Sequence, residues 1–367
     1  MPSIFVNSTY KLLIGVALIS ALENSCISQV TIVLCDMTKI DTPAVDITPN
    51  FIEIKNGQTL RWDRVLSVSG LKSEQDTKFN SYLNEIGLPL FRIKHRLKNG
   101  NLKSLSEITD PLVINLSQQK IELDVQANYL ISLAKCRESI SQHRRVNALN
   151  WFIKMCRLKK NSATEITKIG NCDFSDSELA LFFTEAILPI WFDKSSVTQV
   201  VDQLNVDFGK LKDLPDGLLI YMASLYSTLE QLDKAKIIFA ELSNRKSDLV
   251  KLWLPIIKAQ SSLYSNGPMS ELTKSYQTLT GATRAVANFL VASRNTVNPD
   301  DYDIAVLNLL YIPANFSKKY PTLAAAALKL AADISEKSGK LKEAKMIRSD
   351  LRSNYKNTFH GIESTNQ

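Results

Sequence analysis

Residues 219–242 read LIYMASLYSTLEQLDKAKIIFAEL, and this stretch decides the fold class. Leu219, Met222, Ala223 and Tyr226 fall on one face of a helix, since side chains three and four residues apart are neighbours there. Gln231-Leu232-Asp233 supplies a turn. Ala235, Phe239 and Leu242 then build a second apolar face at the same period. A small residue on each helix lets the two backbones approach. The twelve-residue interval from Ala223 to Ala235 sets these residues opposite each other across the turn. The expectation is a tight antiparallel helical hairpin.

The arrangement recurs. Leu328, Ala331 and Ala332 precede a turn at Gly339, and Ala344, Ile347 and Leu351 follow it; Ala332 to Ala344 is again twelve residues. A weaker copy has Cys136 followed by Ala148 and Phe152, also twelve apart from Cys136 to Ala148. The pattern resembles the tetratricopeptide repeat, with Arg348 standing where an aromatic is usual. The run PTLAAAALKLAADISEKSGKLKEAKMIRSDLRSNY (321–355) resembles the last repeat of secreted bacterial repeat proteins of planctomycete type. The copies are 87 and 109 residues apart, neither a multiple of 34, so irregular hairpins must lie between them. What the resemblance implies is a mainly α chain, a degenerate α-solenoid of antiparallel hairpins. Such solenoids bind another protein along a concave surface made by the first helix of each hairpin. In the best copy Ile220, Ser224 and Ser227 would point that way. The Lys and Asn of the carboxylate-clamp subfamily do not occupy those positions.

Working outward, amphipathic stretches extend over 123–141, 144–158, 176–190, 216–229, 232–244, 248–264, 269–278, 281–294, 302–310, 320–337 and 340–354. Lys72 to Ile86, with Ser73 as a cap, and the basic run 90–97 form two earlier helices. Connections are short, which favours antiparallel neighbours. The expected divisions are a helical region over 71–160, a polar joint near 161–177, a solenoid over 176–356 and a flexible polar tail over 357–367.

Residues 29–70 differ from everything after them. VTIVLC (30–35) is β-branched and apolar, Lys39 to Ile47 alternates around Pro43, and Phe51 to Lys55 alternates again. Asn56-Gly57 follows, and this dipeptide tolerates the positive φ values of a two-residue hairpin. A last strand over 58–65 turns Leu60, Trp62 and Val65 inward. Four short strands suggest a small SH3-like or Sm-like β domain with Trp62 in its core. FIEIKNGQTLRWDRV (51–65) resembles small β domains at the start of secreted bacterial helical proteins. Ahead of it, Leu12 to Leu22 is eleven uncharged residues after Lys11, about 17 Å of helix and too short for a bilayer. With Cys26 and Ser28 as small residues before a cut, residues 1–28 read as a secretory signal peptide. Export to the periplasm or envelope is the expectation, with an uncleaved anchor as the alternative and the only membrane contact.

Composition narrows the chemistry. Of 367 residues 45% are hydrophobic and 22% charged, with only 12 Gly and 12 Pro, which excludes collagen-like and disordered chains. Forty-four basic against 37 acidic residues is a modest excess, not that of a nucleic-acid binder. Arg92, Lys94, Arg96 and Lys98 form one basic stretch and His143-Arg144-Arg145 another, either of which suits an anionic envelope polymer or an acidic partner. Three histidines, no CxxC and no glycine-rich phosphate loop leave no metal, cofactor or catalytic constellation at recognisable spacing. Cys35, Cys136, Cys156 and Cys172 read as buried thiols, with Cys156 and Cys172 the most reachable pair. The expected function is a non-catalytic scaffold or adaptor that binds a protein partner. An envelope hydrolase with an unrecognised carboxylate site is the competing reading.

Overall fold

The computed structural model describes residues 29–162, 166–204, 208–265 and 267–365. The expected signal segment lies outside the described residues. Backbone contacts divide the chain into two units. One ends at Arg96 and includes Glu107–Ala127; the other is Leu97–Ser106 with Asn128–Gln367.

The first unit contains six strands rather than four: β1 (Val30–Leu34), β2 (Lys39–Thr42), β3 (Val45–Ile47), β4 (Phe51–Ile54), β5 (Thr59–Arg61) and β6 (Val65–Ser69). They form two antiparallel three-stranded sheets, ordered β2-β1-β6 and β3-β4-β5. Two features add the extra strands. Pro43 interrupts the 39–47 run, and a 3₁₀ turn at Trp62–Arg64 splits the last strand. The Asn56-Gly57 turn forms as expected, with Gly57 at φ 81°. Alternate residues Val30, Ile32, Leu34, Ile52, Ile54 and Leu60 are buried. Trp62 is 1% exposed, its indole N–H donating to the Thr48 carbonyl at 3.0 Å.

The β strands do not stand alone as a 29–70 domain. Helix α1 (Ser73–Tyr82) continues through a π turn (Leu83–Gly87) into α2 (Leu88–Lys98). Phe79 and Tyr82 set their rings 5.7 and 5.9 Å from Trp62. A further helix, α3 (Ser106–Gln119), enters over a segment the apolar period did not mark.

The second unit is helical: α4 (Val125–Ser141), α5 (Arg145–Asn161), α6 (Asp176–Leu181), α7 (Lys194–Leu204), α8 (Asp216–Thr228), α9 (Leu232–Ser243), α10 (Asp248–Ser265), α11 (Ser270–Ser275), α12 (Gly281–Arg294), α13 (Tyr302–Phe316), α14 (Pro321–Lys337), α15 (Leu341–Asn354) and α16 (Phe359–Thr365). Helices adjacent in sequence pack together along α8–α9, α9–α10, α12–α13, α13–α14, α14–α15 and α15–α16, and α8 also packs on α10. The small-residue pairs lie inside these hairpins. Ala223 and Ala235 are fully buried between α8 and α9, as are Ala332 and Ala344 between α14 and α15. The Cys136 thiol reaches the Ala148 carbonyl at 3.4 Å, so the weakest copy also closes at its small residues. Arg348, in the place of the usual aromatic, instead bonds Asp333 and Glu336 on the facing helix.

Two expectations fail here. The 176–190 stretch is helical only to Leu181. Phe182 adopts a left-handed conformation (φ 55°), Phe183 N–H closes back on Glu178, and the chain then runs irregularly to Asp193 past Pro189. Gly217 seats this corner: a Cβ there would stand 2.1 Å from the Leu181 carbonyl oxygen. Residues 357–367 are not a loose tail over their described part. Thr358 is 1% exposed and caps the Gly361 amide, and α16 packs on α14 and α15.

Candidate functional site

The irregular segment from Phe182 to Asp193 makes one wall of a cleft in the helical unit. Its backbone is fixed from below by α8 and α10. Tyr221 donates its hydroxyl to the Ile187 carbonyl. The Trp191 N–H donates to Ser224 Oγ at 3.1 Å. Thr228 Oγ1 and Gln260 Nε2 both donate to the Trp191 carbonyl at 2.6 Å, and Ser224 Oγ donates to Gln260 Oε1 at 2.8 Å. These polar side chains are fully buried and mutually satisfied, which holds a segment without secondary structure in one conformation.

The opposite wall is the first turn of α5. His143 takes a left-handed conformation (φ 60°) that turns the chain into the helix, whose N-cap Arg144 provides no side-chain cap. The first-turn amides of a helix have no partner within the helix, and its dipole favours negative charge there. From this turn Arg145 crosses the cleft. Its Nη2 donates to the carbonyls of Leu188 and Ile190, and its guanidinium carbon lies 3.8 Å from the Trp191 ring centroid. Nε is sealed from solvent and has no partner. Nη1 makes no hydrogen bond among the described residues and is not sealed. No carboxylate stands within ion-pair distance of this guanidinium among the described residues. Desolvation lowers its pKa to about 10, only partly opposed by Tyr221 and Asp193. It remains a cation at neutral pH, with carbonyl dipoles and a π face as its surroundings.

Two hollows flank Arg145. The larger, about 440 Å³, is lined among others by His143, Arg144, Trp191, Asp193, Lys356 and His360. The smaller, about 230 Å³, lies between Arg145, Ala186–Leu188 and Lys318–Thr322 at the start of α14. The larger hollow sets three permanent cations against one carboxylate. Burial lowers the pKa of His143, and burial also lowers that of His360 against the pull of Asp193 and Glu363. The sequence separated these two histidines by more than two hundred residues and put one in a tail; the fold brings them to one cavity.

The residues expected to line a concave groove are elsewhere. Ile220, Ser224 and Ser227 are each fully buried. Ser224 anchors Trp191, and Ser227 Oγ donates to the Ala223 carbonyl at 2.7 Å. The reason is that α8 is covered on both sides, by α9 and by α10. The basic stretch 92–98 is also partly structural. Lys94 Nζ lies 2.6 Å from Asp63 Oδ2, a carboxylate 1% exposed that Arg61 holds from the other side at 2.9 Å. Arg92 and Lys98 are exposed and Arg96 half-buried. The 143–145 run lines two cavities. Its partner Trp191 carried no signal at sequence level, because nothing in a periodicity marks an irregular segment.

Among the described residues no group of three His, Cys, Asp or Glu side chains could hold a metal ion. Their four cysteines are free thiols; Cys172 donates to the Leu97 carbonyl at 2.7 Å rather than meeting Cys156. No described helix is long and apolar enough to cross a membrane. Comparison with family models, with curated proteins and with solved structures gives no match.

Proposed function

We propose that this chain is a non-catalytic binding protein, and that the cleft around Arg145 receives an acidic segment of a protein partner. The observation that carries the reading is the Arg145 guanidinium: desolvated, oriented by two carbonyls and a stacked Trp191, and lacking a carboxylate among the described residues. Burying a charge without a counter-ion is costly unless a ligand supplies one. With Nη2 committed to two carbonyls and Nε sealed, the remaining Nη1 can donate to a single carboxylate oxygen, a charge-assisted hydrogen bond. The open first turn of α5 and the side chains of Arg144 and Lys356 add further positive potential at the rim.

The helical hairpins supply the frame. Successive hairpins closing at small residues support a degenerate solenoid similar to tetratricopeptide proteins, and the apolar run 12–22 supports export. In that setting the protein is an envelope scaffold or adaptor. It engages its partner through a lateral cleft instead of the inner face of α8.

The test is fluorescence anisotropy of the full chain with a labelled glutamate-rich peptide. Binding that weakens with salt and is lost in Arg145→Met, with the variant still folded at the assay temperature, supports the reading. Equal affinity in wild type and variant, or turnover of a peptide, ester or glycoside by the intact chain, overturns it. N-terminal sequencing of the native protein tests export; a first residue of Met1 or Pro2 on a cytoplasmic species contradicts it.

A further inference from the structure

Among the described residues, helix α13 leaves one face without a partner. Ala305, Leu309 and Ile312 are fully buried against the unit, where α13 packs on α12 and α14. On the other side Ile304, Leu307 and Tyr311 are 54%, 69% and 50% exposed, and Ala314 is exposed as well. Spacings of three, four and three put these four on a single stripe along the axis. Large apolar side chains exposed singly are ordinary on a surface; an aligned stripe on one helix is a contact surface.

The charges at its two ends have opposite sign. Asp300, Asp301 and Asp303 cluster at the start, and Lys318 and Lys319 at the end. This order makes the face complementary to itself when reversed. Laid antiparallel on a second copy with the two-fold axis at residue 309, Leu307 meets Tyr311, Ile304 meets Ala314 and Asp300 meets Lys318. The stripe and both ends register together. A two-fold contact requires such self-complementarity, with each residue's partner reciprocated. Asp303 already bonds Lys340, and Lys319 bonds Glu185 at 3.1 Å. Asp300 and Lys318 are exposed, and no ion pair joins either of them to another described residue. Leu341, which follows the Lys340 that reaches Asp303, is 63% exposed as well.

We infer that α13 is a homodimerisation face, and that its partner is the same helix of a second copy, antiparallel. One helix and its margin fall below the roughly 800 Å² per partner of a stable interface. The dimer is therefore a concentration-dependent one that salt weakens through its end pairs.

Sedimentation velocity of the full chain over a micromolar concentration series tests this. The wild type shows a monomer–dimer equilibrium. Leu307→Asp places a charge in the middle of the contact and raises the dissociation constant by about tenfold or more. Lys318→Asp weakens association several-fold by setting Asp300 against a carboxylate, and adding Asp300→Lys restores it. These positions are exposed, and circular dichroism melting verifies that each variant is folded. A chain that stays monomeric at every concentration overturns the inference. Association unchanged by Leu307→Asp, as when residues 12–22 drive it, does so as well. So does a double variant that associates no better than the Lys318 single variant, or a monomer that uses Leu307 to bind anionic vesicles instead.

Discussion

Asp63 in one unit and the Arg145 guanidinium in the other are both drawn out of solvent, and the two are treated differently. In the β-containing unit Asp63, 3% exposed, has Arg61 on one carboxylate oxygen and Lys94 on the other. Its charge is fully answered by the chain itself, and the pair ties the 3₁₀ turn after β5 to α2. In the helical unit Arg145 is answered by carbonyl oxygens and a ring, with Nε unpaired and Nη1 open. A complete buried ion cluster is a structural clamp. An incomplete one next to a cavity stores an electrostatic demand that an outside group can meet.

The largest expected effect lies on the complete side. Asp63→Ala leaves two cations facing a buried gap. Breaking a buried pair costs 3–5 kcal/mol in general, and the partial exposure of Arg61 and Lys94 reduces this to about 2–3 kcal/mol. Chemical denaturation of the variant measures it. A loss under about 0.5 kcal/mol would mean that Asp63 is not a clamp and that the contrast is empty.

Within the helical unit, the scaffold that positions Arg145 is probed by Ala235→Leu. The added side chain overpacks the α8–α9 contact at Ala223 and should lower stability by roughly 1–3 kcal/mol. Thermal unfolding like the wild type would place these alanines apart and the hairpin register in error. Arg145→Met itself should cost stability modestly, about 1 kcal/mol, because only hydrogen bonds to two carbonyls and a cation–π contact are lost. It should remove nearly all binding of acidic peptide. A Lys94→Met variant should do the opposite, losing stability and keeping the binding.

The smallest effect is on the pH dependence. Burial holds the His360 pKa below its ordinary value of 6.5, so the folded chain keeps it neutral where the unfolded chain takes up a proton. Stability contributed by the neutral ring is complete above about pH 6.5 and declines as pH falls towards the folded pKa. His360→Gln should flatten this part of the pH–stability curve measured by thermal unfolding. An unchanged acid slope would show that α16 does not dock through this side chain.

Much of this fold was legible in the sequence for a plain reason. Helix periodicity and small residues at hairpin contacts are local signals, so α8–α9 and α14–α15 could be read from Ala223, Ala235, Ala332 and Ala344. The Asn56-Gly57 turn and the burial of Trp62 were equally local. The cleft was not legible, because its parts are remote in sequence. Arg145, Trp191 and His360 meet only through tertiary packing, and the segment carrying Trp191 is held by Ser224, Thr228 and Gln260 rather than by any regular pattern. Ser224 was singled out for the wrong face: its part is to fix Trp191 from inside. The mistaken helix over 176–190 has the same origin, since Phe182 and Gly217 settle that corner through a contact between distant residues.

The central claim is that the incomplete cluster is a site and the complete one is not. The most direct measurement is the thermal unfolding midpoint of the full chain with a glutamate-rich peptide, set against sodium chloride at equal ionic strength. Ligand binding to the folded state raises the midpoint with concentration. The wild type should show a rise that persists in Lys94→Met and disappears in Arg145→Met. A rise of equal size in both variants, or none in the wild type, contradicts it.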